Sequence, residues 1–140
     1  MKEDFSPENI KKHFEEDDGF AKYNNLKIEE LSIEKTVITV EVDKNGLNPH
    51  GIVHGGLLYT MADSAMGTCA FLTGRKVVTV DCSINYLKPV RGPKVTCVAS
   101  PVKLGETIGV YRAEIYNERD DLAVTVTGTY FFLDREINKK

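Results

Sequence analysis

The sequence has little of what marks several large classes of protein. Its three cysteines are an odd number without a CxxC pair, and its net charge is only −3 over 140 residues. Thiols without such spacing favour a reducing, cytoplasmic environment. The slight acidic balance disfavours nucleic acid as a partner, because nucleic-acid-binding proteins carry a basic patch or stripe. The composition also excludes collagen, a coiled coil and a disordered chain.

Long apolar runs are missing as well. Residues 1–6 lead into a charged segment rather than into the apolar centre of a signal peptide. The longest apolar stretch, residues 55–73, contains Asp63 and many small residues, which makes it a poor membrane span. We therefore expect a cytoplasmic protein that has no membrane as a partner.

The chain has the pattern of a single domain over residues 1–140, with its core in about 26–133. Alternating apolar residues at 26–42 predict one bent strand or two short ones. Similar patterns predict four further strands, at 78–86, 94–104, 107–117 and 121–133. Strands joined by short turns form an antiparallel sheet. The fold class is therefore α+β, with a helix packed on a curved antiparallel sheet.

Two helices are predicted. Ser6 and Pro7 are start signals for a short N-terminal helix over about 6–18, and Gly19 is a stop signal. The longer helix covers 54–73, where apolar residues recur every three to four positions. This long helix is set between the strands and is the element that the sheet must cover.

The start of the long helix can carry chemistry, because it begins with Gly55 and Gly56. The first N–H groups of a helix have no partner within the helix and lie at the positive end of its dipole. Without side chains in the way, these groups can hold an anion or a developing oxyanion. The alternative is that both glycines only permit a tight turn.

Asp63 is the second candidate, because a carboxylate is costly to bury in an apolar helix. It is either a general base or nucleophile, a carboxylate satisfied by a local partner, or a solvent-facing side chain. Gly55 and Asp63 are eight residues apart, which is about 12 Å along a helix. They cannot reach one carbonyl from one copy of the helix. If both take part, the protein is at least a twofold dimer with shared sites.

Other motifs are weaker. His50 and His54 are four residues apart, but Pro49 and Gly51 argue against one helical face that could hold a metal, and we predict no metal site. GxSxG, Walker and GxGxxG motifs are absent. The polar residues of the 78–86 strand either line a pocket or form an ordinary exposed sheet face.

Asn48-x5-His54-Gly55-Gly56, the spaced Asp63, and the segments 78–81 and 84–89 together resemble the hotdog-fold thioesterases of the PaaI (phenylacetate-degradation) type. The resemblance covers about residues 40–133. It implies a central helix wrapped by an antiparallel sheet, assembled into homodimers and usually homotetramers. It also implies hydrolysis of acyl-CoA thioesters with aryl-acetyl or medium-to-long acyl groups, and no cofactor besides the coenzyme A of the substrate.

The resemblance further implies a role for each matching residue. The Gly55 N–H is the oxyanion donor, His54 orients the turn, and Asp63 of the neighbouring chain is the base or nucleophile. Asn48 holds the attacking water or the thioester, and Thr79 stands where relatives carry a water-assisting serine. Where relatives often have a lysine after the glycine of the 103–106 hairpin, this chain has Glu106. The resemblance therefore implies that Lys88 and Arg91 contact the coenzyme A phosphates instead.

Two other functions fit the same fold. One is a non-catalytic protein that binds or senses acyl-CoA, and the other is a hydratase. A sensor that reads DNA would need a basic helix-turn-helix before the sheet, whereas the first 25 residues are short and acid-rich. A hydratase would need a differently placed His/Asp pair. The acyl group itself depends on how Phe71, Leu72 and Tyr86 pack with a partner chain.

Overall fold

The structure is a computed structural model that describes residues 5–133. Within these residues six strands form one sheet, in which every neighbouring pair is antiparallel. The spatial order is β1 (Leu26–Leu31), β2 (Thr36–Glu41), β4 (Lys94–Leu104), β5 (Ile108–Tyr116), β6 (Leu122–Leu133) and β3 (Lys76–Tyr86). The strands β1 and β3 are therefore the two edges of the sheet.

The long helix, α3 (Gly55–Phe71), lies across one face of this sheet and contacts all six strands. Its buried positions combine leucines and methionines with small residues, which let the helix approach the strands closely. Met61, Met66, Ala62 and Ala65 are fully buried. The predicted α+β fold, with a long helix packed on an antiparallel sheet, is confirmed.

Two short helices precede the sheet. Ser6 caps α1 (Pro7–Asp17) by accepting a hydrogen bond from the Asn9 N–H, as expected for a helix of about 6–18. The helix α1 ends at Asp17, as the stop signal at Gly19 predicts, but a second helix begins at Gly19 itself. Asp18 ends α1 and caps α2 (Gly19–Tyr23), because its carboxylate accepts from the Ala21 N–H at 3.0 Å.

The strand β3 departs from simple alternation at the position that matters for the site. Thr79 pairs with Tyr130, whereas Asp81 pairs with Thr129, so the register shifts by one residue between them. Strict alternation places Thr79 on the same face as Asp81. The extra residue, Val80, instead turns Thr79 toward α3 and leaves Asp81 on the exposed face. A polar strand is thus divided between the two faces of the sheet.

No helix within the described part of the chain is long and apolar enough to cross a membrane. The expectation of a single domain over residues 1–140 stays a prediction.

Candidate active site

The loop before α3 is built around the side chain of Asn48. Its Oδ1 accepts hydrogen bonds from the N–H groups of His50 (2.9 Å) and Ile52 (3.2 Å). Gly51 supports the same turn with φ +75°, a conformation that residues with a side chain rarely adopt. The side-chain oxygen of Asn48 is therefore committed to the loop, and its amide N–H₂ is the part available for a ligand.

His54 fixes the first turn of α3. Its Nδ1 accepts the Gly56 N–H at 2.8 Å, and its own backbone N–H donates to the Gly46 carbonyl at 2.8 Å. Because Nδ1 accepts a hydrogen bond, the proton of the neutral ring resides on Nε2. A histidine thus acts here as the helix cap, a role more common for serine, threonine, aspartate or asparagine.

The Gly55 N–H makes no hydrogen bond to any of the residues 5–133. It lies at the N-terminus of a 17-residue helix, where the helix dipole favours negative charge. The Tyr86 hydroxyl donates to the Gly55 carbonyl at 2.9 Å. A Cβ at position 55 would lie 3.2 Å from that hydroxyl oxygen, a tight contact that the Tyr86 side chain would have to relieve by moving a few tenths of an ångström. Tyr86 therefore ties the end of β3 to the start of α3.

A cleft of about 400 Å³ opens beside this turn. Gly55 and Gly56 form part of its wall, together with Ile52, Val53, Leu58, Tyr86, Leu87, Lys88, Pro89 and Val90. Mostly apolar side chains with a few polar groups are typical of a small-molecule site. The Lys88 Nζ lies 3.5 Å from the Asp121 carboxylate, and both side chains are about half exposed.

Because Lys88 and Gly55 line the same cleft, Lys88 belongs to the same site as Gly55. Arg91 is held further along the loop, where its backbone N–H donates to the Glu118 carboxylate at 3.0 Å.

Asp63 lies in the middle of α3 and is half-buried. Its Oδ1 accepts two hydrogen bonds, from the Tyr130 hydroxyl at 2.7 Å and from the Thr79 hydroxyl at 2.9 Å. The other carboxylate oxygen, Oδ2, takes no hydrogen bond from the described residues. Asp63 is thus a carboxylate with one oxygen held and one oxygen available.

The hydroxyl and thiol groups of Tyr59, Cys82 and Tyr130 around Asp63 are neutral near pH 7. Hydrogen bonding to the Cys82 thiol, together with burial, raises the pKa of Tyr59 to about 12. Burial raises the pKa of the Cys82 thiol. Burial and the nearby Asp63 carboxylate also raise the pKa of Tyr130.

Three contacts join α3 to β3 like the rungs of a ladder: Gly55 to Tyr86, Tyr59 to Cys82, and Asp63 to Thr79. The helix keeps Gly55 and Asp63 about 12 Å apart along its axis. The structure therefore brings Asp63 together with Thr79 at one end of the ladder. It brings Gly55 together with His54 and Lys88 at the other.

Sequence reasoning missed Tyr130 and the contact of Tyr86 with Gly55. Tyr130 reaches Asp63 from β6, 67 residues away in sequence. Only the pairing of Thr79 with Tyr130 could have pointed to it, and that pairing depends on the register shift at Val80. No group of three or more potential metal ligands occurs within residues 5–133.

Comparison with known families agrees with this arrangement. The profile of the thioesterase superfamily matches residues 50–124, more than half of the chain, including α3 and its preceding loop. The chain belongs to the thioesterase superfamily, and its resemblance to PaaI-type hotdog thioesterases is confirmed.

Individual relatives support the same family. The acyl-coenzyme A thioesterase PaaI of Escherichia coli is 31% identical over 81% of this chain and 81% of its own. A Haemophilus influenzae protein is 37% identical over 60% of this chain and 63% of its own, so this chain spans less than two thirds of that relative.

Solved structures extend the similarity to nearly the whole chain. A thioesterase from Haemophilus influenzae superposes with a TM-score of 0.84 and 27% identity, covering 95% of this chain and 94% of its own. A mutant of the phenylacetic acid degradation protein PaaI from Thermus thermophilus superposes with a TM-score of 0.77 and 33% identity. It covers 81% of this chain and 98% of its own.

Proposed function

We propose that this protein hydrolyses acyl-CoA thioesters to a free acid and coenzyme A. The observation that carries the proposal is the free Gly55 N–H at the start of α3, set in the wall of a cleft and paired with an accessible carboxylate on the same helix. A thioester is already activated, so one oxyanion donor and one carboxylate are sufficient for its hydrolysis. Gly55 polarises the carbonyl, and His54 holds the turn that aims the Gly55 N–H.

Asp63 supplies the second half of the reaction. It removes a proton from water, which adds to the carbonyl carbon, or it adds to that carbon itself. Collapse of the intermediate breaks the C–S bond, and coenzyme A leaves as its thiolate, which takes up a proton. If water attacks, the product is the free acid. If Asp63 attacks, the acyl group remains on Asp63 as a mixed anhydride, which a water molecule then hydrolyses to the free acid. In either case the Asp63 carboxylate must act through an oxygen that is not already hydrogen-bonded. The amide N–H₂ of Asn48 is a further donor for the thioester or for the water.

The site is complete only in a dimer. The Gly55 N–H and the Asp63 carboxylate must both lie within about 3–3.5 Å of the reacting atoms, and one helix holds them too far apart. The strand β3 offers a route for pairing, because it forms one edge of the sheet and its apolar side chains are exposed: Val78 (48% exposed), Val80 (59%) and Tyr86 (52%). A long apolar edge strand readily pairs with another strand.

The contacts between α3 and β3 indicate which pairing would complete the sites. If two β3 strands pair antiparallel about a twofold axis near Cys82 and Ser83, the end of one strand at Thr79 lies near Tyr86 of the partner subunit. The same axis passes near Tyr59, midway between Gly55 and Asp63. It therefore brings Asp63 next to Gly55 of the partner subunit.

A tetramer of two such dimers is also part of the proposal. Val78, Phe131 and Ile108 occupy one cross-strand row on the sheet face away from α3, and all three are exposed. Covering this apolar row would remove it from water. All three cysteines are free thiols, which supports a reducing cytoplasmic location.

The acyl group belongs to the aryl-acetyl or medium-to-long class. Escherichia coli relatives point to this range, because one is named PaaI and another is named a medium/long-chain acyl-CoA thioesterase. The apolar lining of the cleft beside Gly55 supports the same range.

The test is release of free coenzyme A thiol from a panel of acyl-CoAs, using wild type, Asp63→Asn and Asp81→Asn. Asp63→Asn keeps the size of the side chain but removes the base, and we expect at least about a 1,000-fold loss in kcat. Asp81→Asn changes a nearby carboxylate on the other face and should retain activity. Full activity of Asp63→Asn, binding without turnover, or water addition to an enoyl-CoA would each contradict the proposal.

A further inference from the structure

We infer that Tyr130 is a positioning residue that, with Thr79, holds Oδ1 of Asp63 and leaves Oδ2 as the reacting oxygen. This inference rests on the proposed function and deepens it. It assigns the chemistry to one atom of the carboxylate and adds a residue from β6 to the site.

The hydrogen bonds to Asp63 carry the inference. Both hydroxyl groups donate to the same oxygen, Tyr130 at 2.7 Å and Thr79 at 2.9 Å. A carboxylate oxygen has two lone-pair positions, so Oδ1 is fully occupied. A water molecule or a thioester carbonyl carbon must then approach Oδ2.

The Tyr130 ring is itself held in place, as a positioning residue requires. The ring is 1% exposed, and the Tyr111 ring packs against it edge-on at 5.7 Å between centroids. A Cβ on Gly128 would lie 2.9 Å from the ring, and one on Gly67 would lie 3.9 Å from it. Gly128 thus leaves room for the ring, and its hydroxyl is aimed at Asp63 with little freedom to move.

Tyr111 provides a matched control within the same aromatic pair. Both tyrosines are buried, and their side chains point to the same face of the sheet from neighbouring strands. The Tyr111 hydroxyl, however, has no hydrogen-bond partner among residues 5–133. Removing that hydroxyl takes away the same atom from the same packing environment without touching Asp63.

The experiment compares Tyr130→Phe with Tyr111→Phe in the thiol-release assay. We expect Tyr130→Phe to lower kcat by about 10- to 100-fold with little change in KM, as for loss of one hydrogen bond to a charged group. Tyr111→Phe should leave both parameters unchanged.

The pH dependence separates positioning from packing. A hydrogen bond donated to a carboxylate favours its charged form, so removing one favours the protonated form. The acidic limb of kcat/KM should therefore move to higher pH in Tyr130→Phe and stay in place in Tyr111→Phe. The titratable groups around Asp63 are Tyr59 on α3, Cys82 on β3, Tyr130 on β6 and, on the other face of β3, Asp81. The Asp81→Asn background controls for the one other carboxylate among them.

Thr79 provides an independent test if Tyr130→Phe does not fold. Thr79→Val removes the second hydroxyl at nearly constant volume and should lower kcat in the same range, whereas Thr79→Ser should retain activity. The inference is overturned if the kcat and pH profile of Tyr130→Phe match those of Tyr111→Phe, or if Thr79→Val is as active as Thr79→Ser. Because Asp63→Asn tests the proposed function separately, an inactive Asp63→Asn with a fully active Tyr130→Phe removes only this inference.

Discussion

The start and the middle of α3 present opposite kinds of chemical group. At Gly55 the helix offers a backbone donor, held by a histidine cap and free of partners within residues 5–133. At Asp63 it offers a carboxylate acceptor, held by two hydroxyl groups from other strands. In the proposed reaction, the Gly55 N–H stabilises negative charge on the substrate, and Asp63 activates water or attacks the carbonyl carbon.

The two regions also differ in what holds them. The turn at Gly55 depends mostly on local contacts, because the side chains of His54 and Asn48 bond to backbone groups within four residues of themselves. Asp63 depends on long-range contacts to Thr79 and Tyr130, 16 and 67 residues away in sequence. The first region is therefore set by chain conformation, and the second by the packing of the sheet on the helix.

The largest expected effect after loss of Asp63 is loss of the Gly55 N–H. Gly55→Pro removes this donor at the first position of the helix, where proline is well tolerated. The preceding residue, His54, already has ψ 132°, in the extended range that proline favours for its predecessor. We expect kcat for thioester hydrolysis to fall about 100- to 1,000-fold, as for loss of one oxyanion donor.

Gly55→Ala is the matched control, because it adds a Cβ near the Tyr86 hydroxyl but keeps the N–H. The difference in kcat between the proline and alanine variants reports the loss of the N–H donor together with the bulk of the proline ring at the same position. Equal activity of the two variants would mean that the Gly55 N–H does not touch the reacting carbonyl.

A smaller but more direct effect is expected when two inactive chains are mixed. In a mixed dimer of Gly55→Pro and Asp63→Asn chains, one site carries both changes and the other carries neither. Random exchange at equal concentrations makes half of all dimers mixed, so the thiol-release rate should recover to about one quarter of wild type.

Recovery in this mixture requires that Gly55 and Asp63 of one site come from different chains. A mixture that exchanges subunits, as shown by a tagged chain, and yet stays inactive would place both groups of each site in one chain. That result would contradict the shared site and with it the proposed pairing of β3 strands.

Much of this architecture could be predicted from sequence, because it depends on local signals. Each of these signals involves only a few neighbouring residues. They are the alternation of apolar residues in β4, β5 and β6, the apolar spacing of α3, and the paired glycines at the start of α3. The N-terminal region was less predictable, because the second short helix, α2, begins at Gly19 with Asp18 as its cap.

The candidate site was predictable only in part, for the same reason. Asp63, Gly55 and His54 belong to one short segment whose spacing can be read directly. Tyr130 could not be found in this way, because a one-residue shift at Val80 decides which β3 residue faces it. A change of register by one residue moves a side chain to the other face of a sheet. No local sequence pattern indicates where such a change occurs.

The smallest effect concerns the cleft beside Gly55. The exposed Lys88 ammonium lies on the wall of this cleft and forms an ion pair with the Asp121 carboxylate at 3.5 Å. If it contacts a phosphate of coenzyme A, Lys88→Ala should raise KM about three- to tenfold with kcat unchanged, because an exposed ion pair contributes little and equally to ground and transition states. The rise should shrink at high salt, where screening weakens such contacts. Lys27→Ala, on the opposite edge of the sheet, controls for the loss of one charge. Arg91→Ala should raise KM less than Lys88→Ala, because Arg91 is farther along the loop from Gly55. A lower kcat in Lys88→Ala at an unchanged KM would instead mean that Lys88 acts at the reacting centre. The start and the middle of α3 would then differ less in their chemical roles than their structures indicate.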